Sequence, residues 1–174
     1  MKKKKDNMVL TIFILTFILS ICFSGVSNVI AASFNEVVLF IILVTVICIG
    51  ILFDVIGTSA ITANEATFHS MSSKKIKGAK ECISLIKNSS SISSICNDVV
   101  GDVCGIVSGG LGAVLAISLS TTTGFDNTLV SVLLSAFISS FTVGGKAIFK
   151  RIALKNADKI LHVVGRMKYA LKLK

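Results

Sequence analysis

The sequence predicts an all-α, polytopic membrane protein with four transmembrane helices and additional cytoplasmic amphipathic helices. Three observations carry this reading. The chain is 53% hydrophobic, only 16% charged and has a mean hydropathy of +0.86, whereas a soluble domain carries roughly 25% charged residues. Its uncharged runs cover residues 7–35, 37–53, 103–125 and 127–145, and each is on the scale of the roughly 20 apolar residues that a spanning helix requires. Its 18 Lys and Arg residues fall into three clusters. Lys2–Lys5 precede the first run. Lys74, Lys75, Lys77, Lys80 and Lys87 separate the second from the third, and the remainder lie from Lys146 onward.

Four spans put all three basic clusters on one side of a bilayer, while three or five would split them. Cationic loops stay cytoplasmic, so both termini are expected inside a plasma membrane if the first helix is retained. The net charge of +9 then lies against anionic lipid headgroups. Nucleic acid is not the expected partner, because no aromatic residues interleave the lysines.

The first helix, near residues 8–27, has two readings. Basic residues, an apolar run and Val29-Ile30-Ala31-Ala32 suit a signal peptide, but the run is long for an apolar region of roughly 7–15 residues. Cleavage would leave three spans and an external N-terminus. Residues 1–35 are therefore an anchor or a signal peptide, residues 36–161 the transmembrane domain, and residues 162–174 a basic amphipathic tail.

The second helix, near residues 37–57, changes character as it ends. Asp54, Thr58, Ser59, Thr62, Asn64 and Glu65 follow one another among small residues, which permit close helix contact and supply oxygen ligands. Residues 72–88 read as one amphipathic helix, with Ile76, Ala79, Ile83 and Ile86 at helical spacing and lysines on the other faces. The serine-rich run from Ser89 to Ser94 is polar and suits an N-cap.

The third helix, near residues 95–119, holds the most unusual residues. Asp98 and Asp102 stand four apart in an otherwise apolar stretch, and a carboxylate in or near hydrocarbon costs several kcal/mol unless paired or solvated. Gly101, Gly105 and Gly109 form a stripe of the kind used for helix packing. The aspartates flank that stripe, so they are expected at the helix interface, presenting two carboxylates to a cation. The fourth helix, near residues 128–148, ends at Gly144-Gly145-Lys146 and leads into a basic amphipathic segment that includes His162.

Some chemistries are excluded. Cys22, Cys48, Cys82, Cys96 and Cys104 form no CxxC pair and no metal-ligand spacing with His69 or His162, so they read as small buried hydrophobes. No HExxH or Gly-x-Ser-x-Gly motif occurs, and an enzyme is not expected.

The order of parts resembles the transmembrane domain of the CNNM/CorB family of magnesium and cobalt transporters. The likeness covers roughly residues 52–161. It rests on Gly78-Ala79-Lys80, Leu85-Ile86-Lys87-Asn88, Ile95-Cys96-Asn97, and the phrase from Ala153 through Asn156-Ala157-Asp158-Lys159-Ile160. The family shows a GAK…LL…N loop, an I-G-N start to the next span and a PK…NPEKIA ending.

This resemblance implies a homodimer and an intramembrane Mg²⁺ site. Asn97 matches the family's Asn, and Thr62, Asn64 and Glu65 match its Ser-x-Ser-Glu, with Gly57-Thr58-Ser59 an alternative alignment. The chain departs from the pattern at Gly145-Lys146, where the family has Pro-Lys preceded by an acid. The paired CBS domains do not follow within this sequence, so regulation by nucleotide is not expected. The resemblance thus leads to divalent-cation transport, with a non-transporting membrane subunit or sensor as the alternative.

Overall fold

A computed structural model of the chain describes residues 35–172, preceded by residues 10, 11, 13–18, 20–22 and 25. The described residues contain no strand. In order come α1 (Glu36–Thr62), α2 (Glu65–Ser73), α3 (Ala79–Lys87), α4 (Ser89–Ser93), a π-helical segment (Ser94–Gly101), α5 (Asp102–Thr123), α6 (Asn127–Lys155) and α7 (Ala157–Lys172). Three stretches are long and apolar enough to cross a bilayer: α1, the continuous Ser89–Thr123, and α6. The fourth expected span, near residues 8–27, lies largely outside the described residues. The chain divides into two compact units, Met1–Ile51 with Val99–Gly145, and Leu52–Asp98 with Lys146–Lys174.

The first unit is built on aliphatic residues repeating every fourth position. Leu39, Leu43, Ile47 and Ile51 of α1 meet Val103, Val107, Leu111 and Leu115 of α5, and Ile138 of α6 joins them. Rows at i±4 are the ridges by which helices interdigitate. Close approach comes from glycines outside the expected stripe. A Cβ on Gly50 would sit 2.9 Å from the Cβ of Cys104, and one on Gly112 would overlap Ile138.

Around Gly105 and Gly109, by contrast, none of the described residues outside the helix's own backbone lies within 4 Å of an added Cβ. Glu36 fastens the start of α1 to the end of α5, accepting hydrogen bonds from Ser118 Oγ at 2.9 Å and Thr122 Oγ1 at 2.6 Å. Gly124, at φ 73°, closes α5. Of the apolar stretch of α6 only 6% is buried, so Leu133, Phe137 and Phe141 are left for lipid or another protein surface.

The second unit is built on small residues and turns. Its core is Ala60, Ala63, Phe68, Cys82, Leu85, Ala157 and Leu161. The amphipathic helix expected over residues 72–88 is broken in two. Lys75 and Gly78 adopt positive φ, 55° and 87°, and a Cβ on Gly78 would stand 2.8 Å from Arg166 N. Glycine is therefore required there both by the backbone and by its neighbour. The break rotates the buried face to Ala79, Cys82 and Leu85, leaving Ile76 exposed in the turn.

The basic tail is likewise split from α6 at Asn156, and α7 packs on α3. Gly165 of α7 has no room for a Cβ because Cys82 Sγ occupies the space, and the thiol donates to Leu161 O at 3.3 Å. Burial pushes the Cys82 thiol up to about 11, with the neighbouring Glu81 charge acting in the same direction. The cysteines divide accordingly: Cys82 and Cys96 are buried as expected, but Cys22 and Cys48 are exposed. His162 is half-buried, with Nε2 3.3 Å from Lys77 O.

Candidate functional site

Where α1 passes through the second unit, large aliphatics give way to Asp54, Gly57, Thr58 and Ser59. All four are buried, and Ser59 is fully so. Facing Gly57 is the π-helical segment. Its serine-rich approach supplies hydroxyls that compete for backbone partners, and π geometry is often found at functional sites.

Asn97 sits within this segment and presses on Gly57 so closely that a Cβ there would overlap Asn97 Oδ1. The Asn97 amide donates to Ser93 Oγ at 3.1 Å. Its carbonyl Oδ1 is buried without a hydrogen-bond partner, and so are Thr58 Oγ1 and Ser59 Oγ. Thr58 and Ser59 follow Gly57 on α1, about 100° and 200° around the helix from it, so of the three orphaned oxygens Asn97 Oδ1 is the one held against Gly57. Leaving a buried polar group unpaired costs about 1–3 kcal/mol, and such groups in a native fold call for a ligand, an ion or a water.

The residues singled out from the sequence are distributed differently. Asn97 lies at this site. Thr62 is exposed, and its hydroxyl donates to the carbonyl of Thr58. With Asn64, Asn156, Asp158, Lys155 and Lys159 it lines an open hollow of about 370 Å³, where two lysines compete with any bound cation. Asn64 N-caps α2 by accepting from Ala66 N at 3.0 Å. Glu65 Oε1 lies 3.2 Å from His69 Nε2.

Asp98 is exposed and accepts from Ser94 Oγ at 2.7 Å. Asp102 is exposed in the first unit, where the π-helical segment runs on into α5. Both aspartates were expected at a helix interface beside Gly101. Both are exposed instead, while Gly101 itself is buried.

Two residues gain a role that no sequence pattern pointed to. Ser93, four before Asn97, holds the Asn97 side chain by its amide. Asp158 bridges α7 to α2, accepting from Asn64 N at 2.8 Å and Thr67 Oγ1 at 3.0 Å.

Among the described residues there is no group of three or more His, Cys, Asp or Glu able to hold a metal, so a cation here would rely on neutral oxygens with Asp54 as the buried charge. Comparison with models of protein families, with curated proteins and with solved structures finds no match.

Proposed function

We propose that this chain is a membrane protein that binds a hydrated divalent cation, Mg²⁺ first, beside Gly57, and that this site serves transport of the cation. The observation that carries the reading is the trio of buried, unpartnered oxygens, Thr58 Oγ1, Ser59 Oγ and Asn97 Oδ1. Mg²⁺ takes hard oxygen ligands, keeps several of its waters and usually binds through only one or two carboxylates. Asp54 and Thr58, four apart on α1, share one helix face, and Asn97 Oδ1 stands at Gly57 between them in sequence, a mostly neutral oxygen set that suits that preference. Cobalt enters only through the likeness to the CNNM/CorB transporters, as does the homodimer. The alternative, a non-transporting subunit or sensor, is favoured by the exposure of Asp98 and Asp102 and by Gly145-Lys146 in place of the family's Pro-Lys.

The test is thermal stability of the purified chain with and without Mg²⁺, paired with Mg²⁺ flux in proteoliposomes. At a cation concentration a hundredfold above Kd, binding stabilises the fold by about 2.7 kcal/mol. Thr58→Val and Asn97→Ala are expected to lose this stabilisation, while Asp102→Asn keeps it. Stability of the wild type that ignores Mg²⁺ overturns the site. Binding without flux leaves the sensor reading in place.

A further inference from the structure

One helix face of the second unit is left without a partner among the described residues. α7 buries Ala157, Leu161 and Gly165. At 100° per residue, Val163, Met167 and Leu171 fall on another face, and they are 58%, 62% and 75% exposed. Half-buried Ile160 extends the stripe toward the start of the helix. Lys159 and Arg166 border it on one side and Lys168 on the other. The acid of this helix, Asp158, lies away from the stripe and is occupied by Asn64 and Thr67.

We propose that this face of α7 docks on an anionic bilayer surface, with the helix axis in the membrane plane. A narrow apolar stripe flanked by cations is the pattern of an interfacial helix: the apolar side chains enter the boundary of the acyl region, while Lys and Arg stems lie along it and keep their charges among the headgroups. A second copy offering the same face would bring like charges together, which disfavours self-pairing. The bilayer is also always within reach, because the same chain carries three helices fit to span it, so docking is an intramolecular event. This proposal does not depend on the cation site.

The experiment uses the full chain in nanodiscs of phosphatidylcholine alone or mixed with phosphatidylserine. Cys22, Cys48 and Cys104 are replaced by alanine, and a fluorophore is attached through Met167→Cys. In anionic discs the label is expected to be quenched by nitroxide lipids and shielded from aqueous iodide. In neutral discs lipid quenching falls and iodide quenching rises. Attached through Lys159→Cys instead, the label stays open to iodide throughout. Each basic charge near the surface contributes about 1 kcal/mol, so Lys159→Gln with Arg166→Gln lowers the docked-to-free ratio roughly thirtyfold. A Met167 label equally quenched in both compositions, or shielded from both quenchers as under a protein partner, overturns the proposal.

Discussion

The two units bury themselves by opposite means. The first fits aliphatic rows together, Leu39 to Ile51 against Val103 to Leu115. The second packs alanines, glycines and Phe68 around turns and leaves three buried oxygens unpaired. α1 runs through both, aliphatic in the first and hydroxyl-lined in the second. The difference teaches that a buried helix face has two uses. Where it is fully matched by its neighbours it holds the fold, and where polar groups are buried without partners it holds room for something else.

Substitutions test that contrast, beginning with the largest effect. Phe68 is fully buried in the second unit, and Phe68→Ala is expected to cost about 3–5 kcal/mol, read by chemical denaturation in detergent. Leu43→Ala, at a site 1% exposed in the first unit, is expected to cost less, about 2 kcal/mol, at the low end of the large-to-small range. In a lipid-facing core the loss is mainly of packing, since no water is excluded there. Equal costs at the two sites would break the distinction between the cores.

Thr58→Val sharpens it from the other side. Removing an unpaired buried hydroxyl is expected to leave stability without Mg²⁺ unchanged or raise it by up to about 1 kcal/mol, while abolishing the Mg²⁺-induced shift. A marked loss in the absence of Mg²⁺ would show that Thr58 is structural. Gly105→Ala is smaller still. With nothing within 4 Å of the new Cβ, alanine should stabilise α5 by about 0.5 kcal/mol through its helix propensity. A loss in its place, together with a change in mass by light scattering, would reveal a second protein surface on the glycine stripe.

The titration of Cys82 has no effect at neutral pH. The thiol rises from an ordinary value of 9.0 to about 11 on folding. Below pH 9 it is protonated in both states and its contribution is complete. Between pH 9 and pH 11 the unfolded chain releases the proton and the folded chain does not, so stability is lost across that window. Cys82→Ala should flatten that part of the pH profile measured by thermal unfolding.

Much of the fold was legible in the sequence because hydropathy reports spans directly. The cores of α1, α5 and α6 fall where uncharged runs and basic clusters put them. Breaks were less legible. Periodicity joined Ile76 to Ile86 in a single helix, and the left-handed backbone at Lys75 and Gly78 divides it. The aspartates misled for a different reason. Residues beside a buried glycine point about 100° away from it, and Asp98 and Asp102 are exposed while Gly101 is buried. Asn97 was singled out through the likeness of Ile95-Cys96-Asn97 to the CNNM/CorB pattern, and Asp54, Thr58 and Ser59 through their density of polar groups. Ser93 was not, because a serine within a serine-rich run carries no mark of its own.

The Asp158 bridge has a consequence in time. It joins residues 94 positions apart, so α2 cannot receive its bond to Asn64 N until α7 has been made. At about 5–20 residues per second of synthesis, the amide at the junction of α1 and α2 waits roughly 5–20 s for its acceptor. A nascent chain halted before Asp158 carries that defect for as long as it persists, open to proteases and chaperones at the membrane surface. α7 therefore completes a helix start laid down 94 positions earlier.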